Sequence, residues 1–373
     1  MKFTCNTKEL SKACQTVSKA AATRATVPAL EGIKIEVKDD KIRLCGYNLE
    51  LGITTALQVE GDAEDGMAVL DAKTICNIVK KLPDPSTTID SVTAEKATIS
   101  SGAAQFEICG IPASEFPDFP TVDVQNSASI EQSVLKSMIH QTAFAVAESG
   151  AKPIHTGALL KIESGSITMV GVDGYRLAKC HEAISYSGNS FDFVVPKETL
   201  MEVSSLLSDD SDKMATISVD LRHAIFEIGD YEIFTRLLEG EFLDYERCIP
   251  ESHATEALVD VKSMLDTVQR VSLIVNDKLR SPLKMVVNEG EKNRIRFECS
   301  TTIGLARDEL NAEISGDGLT AGFNGKYLSD ALKNVGCDEV RLQFNGPLSP
   351  MTILPDTGDS FLFLVLPVRL RQK

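Results

Sequence analysis

Two short strings recur in this 373-residue chain at one spacing, and they limit its fold more than any composition figure does. "KSMI" at Lys136–Ile139 returns as "KSML" at Lys262–Leu265, and "SEFPDF" at Ser114–Phe119 returns as "GEFLDY" at Gly240–Tyr245, each shifted by 126 residues. A similar step backwards from Met138 and Ile139 lands near Ala13 and Cys14, inside "KELSKACQTVSKAA". A fixed period of this length means one folding unit used repeatedly. Three copies fit, each the size of an ordinary domain of ~100–150 residues.

Each copy repeats the same pattern. An amphipathic segment comes early, with apolar stripes Leu10, Cys14, Val17, Ala21; Leu135, Met138, Ile139, Thr142; and Met264, Leu265, Val268, Val271. Spacings of three and four put each stripe on one helix face. Alternating hairpin-like runs follow, "IKIEV" and "KIRLC" around Lys38-Asp39-Asp40 in the first copy and "LKIESGSITMV" in the second. A second helix is predicted at "DAKTICNIVKKLP", "PKETLMEVSSLL" and "NGKYLSDALKNVG", then further strands at "AQFEICGI", "HAIFEIGDYEIFTRLL" and "SFLFLVLPV". Polar, proline-bearing joints lie at Phe119–Ser133 and Ile249–Val259. The predicted fold class is α+β, two helices on antiparallel sheet in each of three domains, 1–122, 128–250 and 254–373.

Charge is uneven over this pattern. The six helical segments (8–24, 71–83, 133–148, 196–207, 261–280 and 323–336) carry 15 basic and 8 acidic residues, a net of +7, which leaves −23 for the rest of a chain whose total is −16. Either lysine is simply a common exposed helix residue, or six helices share one surface that faces a polyanion; the count leaves both open. The overall acidity, with pI near 4.9, argues against a protein that grips phosphate over its whole surface.

Nine cysteines are scattered singly, with no CxxC pair and no histidine at finger spacing, so reduced and mostly buried thiols are expected, with no metal and no cofactor. No apolar run of ~18 residues and no basic-then-apolar leader is present, which predicts a cytoplasmic protein without a membrane partner. Catalytic motifs are missing too. Cys180-His181 pairs a thiol with a base, but consecutive strand residues point to opposite faces. His140, His155, His223 and His253 lack metal-ligand spacing, and there is neither GxxxxGK[ST] nor a strand-following GxGxxG. The expectation is a non-enzyme. Two alternatives from other classes are an acidic protein-binding scaffold that never meets DNA, and a hydrolase or transferase with its cleft at Asp173, Tyr175 and Arg176.

The stretch "MVGVDGYRLAK", Met169–Lys179, adds a feature that the repeat does not explain. A strand-like run stops at Asp173-Gly174, a strong turn signal. Such a turn is expected to lift Tyr175, Arg176 and Leu177 clear of the sheet and display them together. Alone, it is also what an ordinary hairpin with a surface tyrosine looks like.

Taken in order, "MKFTCNTKEL", "TVPAL" (Thr26–Leu30), "GYNLELGI" (Gly46–Ile53), "VDGYRLAKC" (Val172–Cys180), "EFLDYERCIP" (Glu241–Pro250) and "LPVRL" (Leu366–Leu370) resemble the bacterial DNA polymerase III beta subunit family, the sliding clamps, over essentially the whole chain. The resemblance implies three similar clamp domains forming half of a closed ring, and a head-to-tail homodimer with helices inside and sheet outside. It implies double-stranded DNA passing through the hole without regard to sequence, and a non-catalytic processivity factor for DNA replication. It further implies partners, namely the polymerase III alpha subunit, the clamp loader, other polymerases and repair proteins, that dock through short peptides of a Gln-Leu-x-Leu-Phe type.

Site residues carried over from the family fall into three groups. The peptide groove would comprise His155, Gly157, Val172, Gly174, Tyr175, Arg176, Leu177, Leu243, Arg247, Cys248, Leu366, Pro367, Val368, Arg369 and Leu370, with Leu177 and Pro367 as apolar walls. Arg24, Lys73 and Lys197 would touch DNA. Phe106 would meet Leu273 and Ile274 of a second subunit. Three departures bear on peptide preference. Val172 stands where many members have threonine, Leu243 where some have proline, and Arg371–Lys373 extends past the usual terminal leucine.

Overall fold

The computed structural model describes residues 1–93, 95–150, 152–275, 281–288 and 292–370. The extension Arg371–Lys373, and the end of the 261–280 segment with Lys278 and Arg280, lie outside the described residues.

The first copy runs β1 (Lys2–Asn6), α1 (Thr7–Val17), β2 (Gly32–Lys38), β3 (Lys41–Tyr47), β4 (Leu51–Gln58), β5 (Gly66–Asp71), α2 (Ala72–Val79), β6 (Ser86–Thr93), β7 (Lys96–Ser101) and β8 (Ala104–Ile111). The second runs β9 (Asn126–Glu131), α3 (Gln132–Ala143), β10 (Gly157–Glu163), β11 (Ser166–Val172), β12 (Arg176–Ala183), β13 (Phe191–Pro196), α4 (Lys197–Leu206), β14 (Met214–Val219), β15 (His223–Ile228) and β16 (Tyr231–Arg236). The third runs β17 (Thr255–Asp260), α5 (Val261–Ser272), β18 (Leu283–Val287), β19 (Arg294–Thr301), β20 (Gly304–Asn311), an extra β21 (Glu313–Gly316), β22 (Leu319–Phe323), α6 (Gly325–Lys333), β23 (Glu339–Phe344), β24 (Met351–Pro355) and β25 (Phe361–Val365).

The strand order repeats as the element order does. Each copy contributes two runs of four strands: β1-β6-β7-β8 and β5-β2-β3-β4, β9-β14-β15-β16 and β13-β10-β11-β12, and β17-β23-β24-β25 and β22-β18-β19-β20. All these ladders are antiparallel. Two further ladders join copies, β4 to β16 and β12 to β25. The predicted α+β class with three repeated domains is the observed one.

By contact the chain forms two compact units, one of residues 1–132 with 205–237 and one of residues 133–204 with 238–373. The first holds the twelve-stranded sheet that ends in β1 and β9, together with α1 and α2; the second holds a nine-stranded and a four-stranded sheet with α5 and α6.

Local chemistry explains where the helices start. Asn6, Asp71, Asp260 and Asn324 each accept backbone N–H bonds from the first helical turn of α1, α2, α5 and α6, which satisfies donors that have no partner within the helix. The expected stripes are buried, Leu10, Cys14 and Val17 on α1, all four residues on α3, and Met264, Val268 and Val271 on α5. Two expectations are corrected. Ala21 lies outside α1, because the chain turns after a 3₁₀ segment at Ser18–Ala20 and Ala22 N–H donates to the Leu30 carbonyl. The polar joints are shorter than the sequence suggests, because β9 and β17 occupy part of them, alternating Ala128 and Ile130 or Ala257 and Val259 into the core.

Candidate functional site

The Asp173–Arg176 turn is held by its own side chain. Asp173 Oδ1 accepts N–H bonds from Tyr175 (2.9 Å) and Arg176 (3.0 Å), and Gly174 supplies the left-handed φ of 85° that the tight turn requires. Only Tyr175 is displayed. It is 57% exposed, whereas the Arg176 side chain is 10% exposed and Leu177 3%. The expectation of three side chains shown together is therefore wrong for two of them. Arg176 opens β12, so its backbone and that of Leu177 pair with Val365 and Leu364 of β25. Leu177 then falls on the inward face, in a core with Ile154, Val170, Val172, Val194, Tyr245 and Leu364.

Three segments of one compact unit meet over that core. The 3₁₀ turn Pro153–Thr156 places His155 edge-on to Phe242, with ring centroids 5.7 Å apart. The loop 239–244 and Lys152–Ile154 line a cleft of about 470 Å³ that includes Leu243. After β25 the chain continues beside the turn, with Leu366 N–H donating to the Tyr175 carbonyl (2.9 Å) and Val368 N–H to the Gly322 carbonyl (2.8 Å). Leu370 packs over Gly322. Leu243, Leu366 and Val368 are exposed apolar residues, as Tyr175 is. Arg247 and Cys248 are exposed on a short 3₁₀ turn, where Arg247 pairs with Asp244 at 2.8 Å, and Arg369 is exposed. Gly157 and Val172 are buried, and Pro367 is half-buried. Leu177 thus backs the surface from the core, and the exposed apolar relief comes from residues on the turn, the loop and the C-terminal segment.

Burial sets the titration of this region. His155 is held below the ordinary imidazole range, first by burial and then by Lys152, and its Nε2 is buried without a hydrogen-bond partner. Burial raises the Tyr245 hydroxyl. Cys180 is buried and pushed up to about 12, while His181 is exposed, so the adjacent pair has no nucleophile–base geometry. Among the described residues no group of three or more His, Cys, Asp or Glu side chains is arranged to hold a metal. No helix there is long and apolar enough to cross a membrane.

A basic groove lies elsewhere, between α1 and α2. It has a volume of about 470 Å³ and is lined by Lys8, Lys12, Lys19 and Lys80 with Thr7, Ser11, Gln15 and Thr16, and no carboxylate lines it. Four lysines on one face of a chain with net charge −16 are a concentrated positive site. Two of the predicted residues sit at helix starts, and the third follows α1. Arg24 is exposed in the α1–β2 connection, Lys73 is exposed in the first turn of α2, and Lys197 is half-buried as the first residue of α4. A lysine in the first helical turn opposes the helix dipole. The third copy does the same with exposed Lys326 on α6, which matches Lys73, since both are the second residue of their helices.

Two strand edges are open. β8 pairs with β5 only through Gly110 and Ile111, leaving the other edge of 104–109 without a ladder partner among the described residues, and Phe106 there is 39% exposed. β20 ends its sheet, with Ile303 and Leu305 exposed. Leu273 caps α5 and is 82% exposed, while Ile274 packs on the core; Arg270 ties α5 to β20 through Asp308 at 2.6 Å. Ile303 and Leu305 were missed in the sequence because alternation alone does not say which strand ends a sheet.

Three copies of one α+β unit, joined edge to edge, with a lysine groove on a helix pair and an apolar surface beside a copy junction, define a clamp-type protein rather than an enzyme. Family models for the N-terminal, central and C-terminal domains of the DNA polymerase III beta subunit match residues 1–120, 129–244 and 246–369. The beta sliding clamp of Bacillus subtilis (strain 168) is 32% identical, covering 99% of this chain and 100% of its own. A crystal structure of the DNA polymerase sliding clamp from Bacillus subtilis superposes with a TM-score of 0.93 at 31% identity over the full length of both chains. A putative DNA polymerase III beta subunit from Eubacterium rectale gives 0.92 at 31% identity, over 99% of each. The chain belongs to the DNA polymerase III beta subunit family, a family of non-catalytic sliding clamps.

Proposed function

We propose that this chain works in DNA replication as a sliding clamp that two copies complete, closing head to tail around duplex DNA. The observation that carries the reading is an unfinished rule in the strand order. β4 of the first copy joins β16 of the second, and β12 of the second joins β25 of the third. The same rule assigns β20 to the strand equivalent to β16 and β25, which is β8, at the far end of the chain. Among the described residues both edges are left over in one chain, and a second copy supplies both partners. The contact is heterologous and closes at two subunits. Carrying over the registers Ile53↔Ile233 and Ala178↔Phe363 sets Phe106 opposite Ala306 of the other copy. Leu273, Ile274, Ile303 and Leu305 then supply apolar cover at that seam.

On this reading the helices face DNA, with Lys8, Lys12, Lys80, Arg24, Lys73 and Lys197 near phosphates. Spread-out lysines attract duplex by counterion release without reading sequence, and enclosure rather than adhesion keeps the ring in place. The apolar surface around Tyr175, Leu243, Leu366 and Val368 receives short peptides from the polymerase III alpha subunit, the clamp loader, other polymerases and repair proteins. A few buried anchors carry most of that affinity. The domains are 1–122, 128–250 and 254–373, and the protein works in the cytoplasm.

Replacing Leu273 and Ile274 together by aspartate is expected to give monomers in native mass spectrometry, and a persisting dimer overturns the interface. Loaded onto nicked circular DNA by a clamp loader, the wild-type protein is expected to stay bound through gel filtration and to run off once the circle is cut. Equal retention on linear DNA, or none on either, rules out the enclosing ring.

A further inference from the structure

Arg176 is a charged side chain in a place where charge is expensive. It is 10% exposed, and it donates through Nε to Asp173 Oδ2 (2.8 Å) and through Nη1 to Asp330 Oδ2 (2.7 Å). Its guanidinium carbon stands 4.6 Å from the ring centroid of Tyr327. Tyr175 stacks on the same ring at 6.1 Å. A buried pair of this kind adds little net stability, because desolvation cancels most of the Coulomb attraction. What it fixes is direction, since a planar guanidinium holds two carboxylates at set angles. One carboxylate belongs to the turn and the other to α6, so Arg176 is a strut between them.

The repeat shows that the fold does not need this strut. The positions equivalent to Arg176 hold Leu51 and Gly304. Counted from the helix starts Ala72, Lys197 and Gly325, with Ile75, Leu200 and Leu328 as the matching buried residues, Asn77 of α2 and Glu202 of α4 stand where α6 has Asp330. Glu202 keeps a carboxylate at that position, but neither other copy has the arginine, so the two halves of the pair do not meet there. Both occur where the turn carries the displayed tyrosine.

We propose that Asp330 is a positioning residue for the peptide groove, holding the Asp173–Arg176 turn through Arg176. Because Tyr175 is bonded through its carbonyl to Leu366 N–H at 2.9 Å, the strut also sets the C-terminal side of the groove. The inference rests on the groove reading above. A groove ordered in advance does not have to be ordered by its ligand, so loss of the strut weakens binding without removing a contact.

The test uses the full chain, a fluorescent peptide of the Gln-Leu-x-Leu-Phe type, and hydrogen exchange at the Arg176 and Leu366 amides. Asp330→Ala is expected to weaken the peptide about tenfold and Asp330→Asn, which keeps shape and one acceptor, about threefold, with faster exchange at both amides. Leu177→Ala serves as the control for the groove itself. If Leu177→Ala weakens binding while both Asp330 variants bind and exchange as wild type, the positioning role is overturned and the groove stands. If none of the three changes affinity, the groove reading falls as well. A lowered melting temperature with unchanged peptide affinity and unchanged exchange also overturns the proposal, because it marks Asp330 as merely structural.

Discussion

The β4–β16 and β12–β25 junctions share one backbone and differ in what they offer to a partner. In the first, Asn48 Oδ1 accepts N–H bonds from Glu50 (3.0 Å) and Leu51 (2.7 Å), and Arg236 N–H donates to the Glu50 carbonyl (2.8 Å). These bonds match those of Asp173 and of Leu366 one for one. The side chains do not match. Where the second junction has Leu177, the first has Gly52, and a Cβ there would lie 2.6 Å from Phe119 Cζ. The Phe119 ring fills that space, parallel to Phe234 at 5.5 Å and edge-on to Tyr47 at 4.6 Å. Outside, the matched exposed positions are Glu50 and Arg236 in the first junction, beside an exposed Leu49, and Tyr175 and Leu366 in the second. One junction is filled from within and has two charged residues at its rim; the other keeps an aliphatic floor, and the same two rim positions are apolar or aromatic. A docking surface here is a matter of a few side chains on a backbone that the repeat already supplied.

The largest expected effect comes from emptying the filled junction. Phe234→Ala removes a ring, 5% exposed, that touches Phe119, Tyr47 and His223. It is expected to destabilise the chain by about 3–5 kcal/mol in urea denaturation, the usual range for a buried phenylalanine, and to leave peptide affinity unchanged. A loss under about 1 kcal/mol would mean that the aromatic cluster does not hold this junction together. Converting the second rim into the first comes next. Tyr175→Glu with Leu366→Arg alters exposed positions and keeps the backbone bond between them, so stability should change by roughly 0.5 kcal/mol or less per site. Peptide affinity should fall about a hundredfold, roughly 2.7 kcal/mol. Wild-type affinity in that double variant would break the comparison.

The junctions also mark what the sequence discloses. "SEFPDF" and "GEFLDY" announce that two loops are equivalent, and Phe116 and Phe242 indeed sit in corresponding cores. The helices, their apolar stripes and the Asp173-Gly174 turn were legible because each depends on residues a few places apart. Burial of Arg176 and Leu177 was not, because it depends on pairing with β25, almost two hundred residues onward. The same holds for the Arg176–Asp330 strut and for Phe119 over Gly52. The lysine groove was half legible. Net charge on the helices could be counted, but that Lys8, Lys12, Lys19 and Lys80 share one face follows only from how α1 packs on α2.

A smaller effect tests the shared turn. Leu49 adopts a left-handed φ of 77° at the position where the second junction has Gly174 at 85°. A side chain in that region costs roughly 1–2 kcal/mol, and glycine in the unfolded chain gives back part of any relief. Gly174→Ala is therefore expected to destabilise by about 1 kcal/mol and Leu49→Gly to stabilise by about 0.5 kcal/mol. Opposite signs in thermal melts support equivalent turns, and equal signs would separate them.

The smallest effect is the pH slope that His155 adds to the second junction. His155 lies beside Phe242 in the second junction, and the equivalent residue in the first is Leu30, in the matching 3₁₀ turn Pro28–Glu31. Burial and Lys152 hold His155 below its ordinary value, so the unfolded chain takes up a proton at a higher pH than the folded one. Stability is then constant well above about 6.5, falls as the pH drops through that value, and levels off once it is below the folded pKa. Because Nε2 is buried with no acceptor, protonation there has nothing to donate to, which fits the sign. His155→Phe keeps an edge contact with Phe242 and removes the titration. Its stability, measured by denaturation at pH 7.5 and again about two units lower, should fall less than that of the wild type. An unchanged difference between the two pH values would assign the slope to other groups and leave the two junctions alike in this respect.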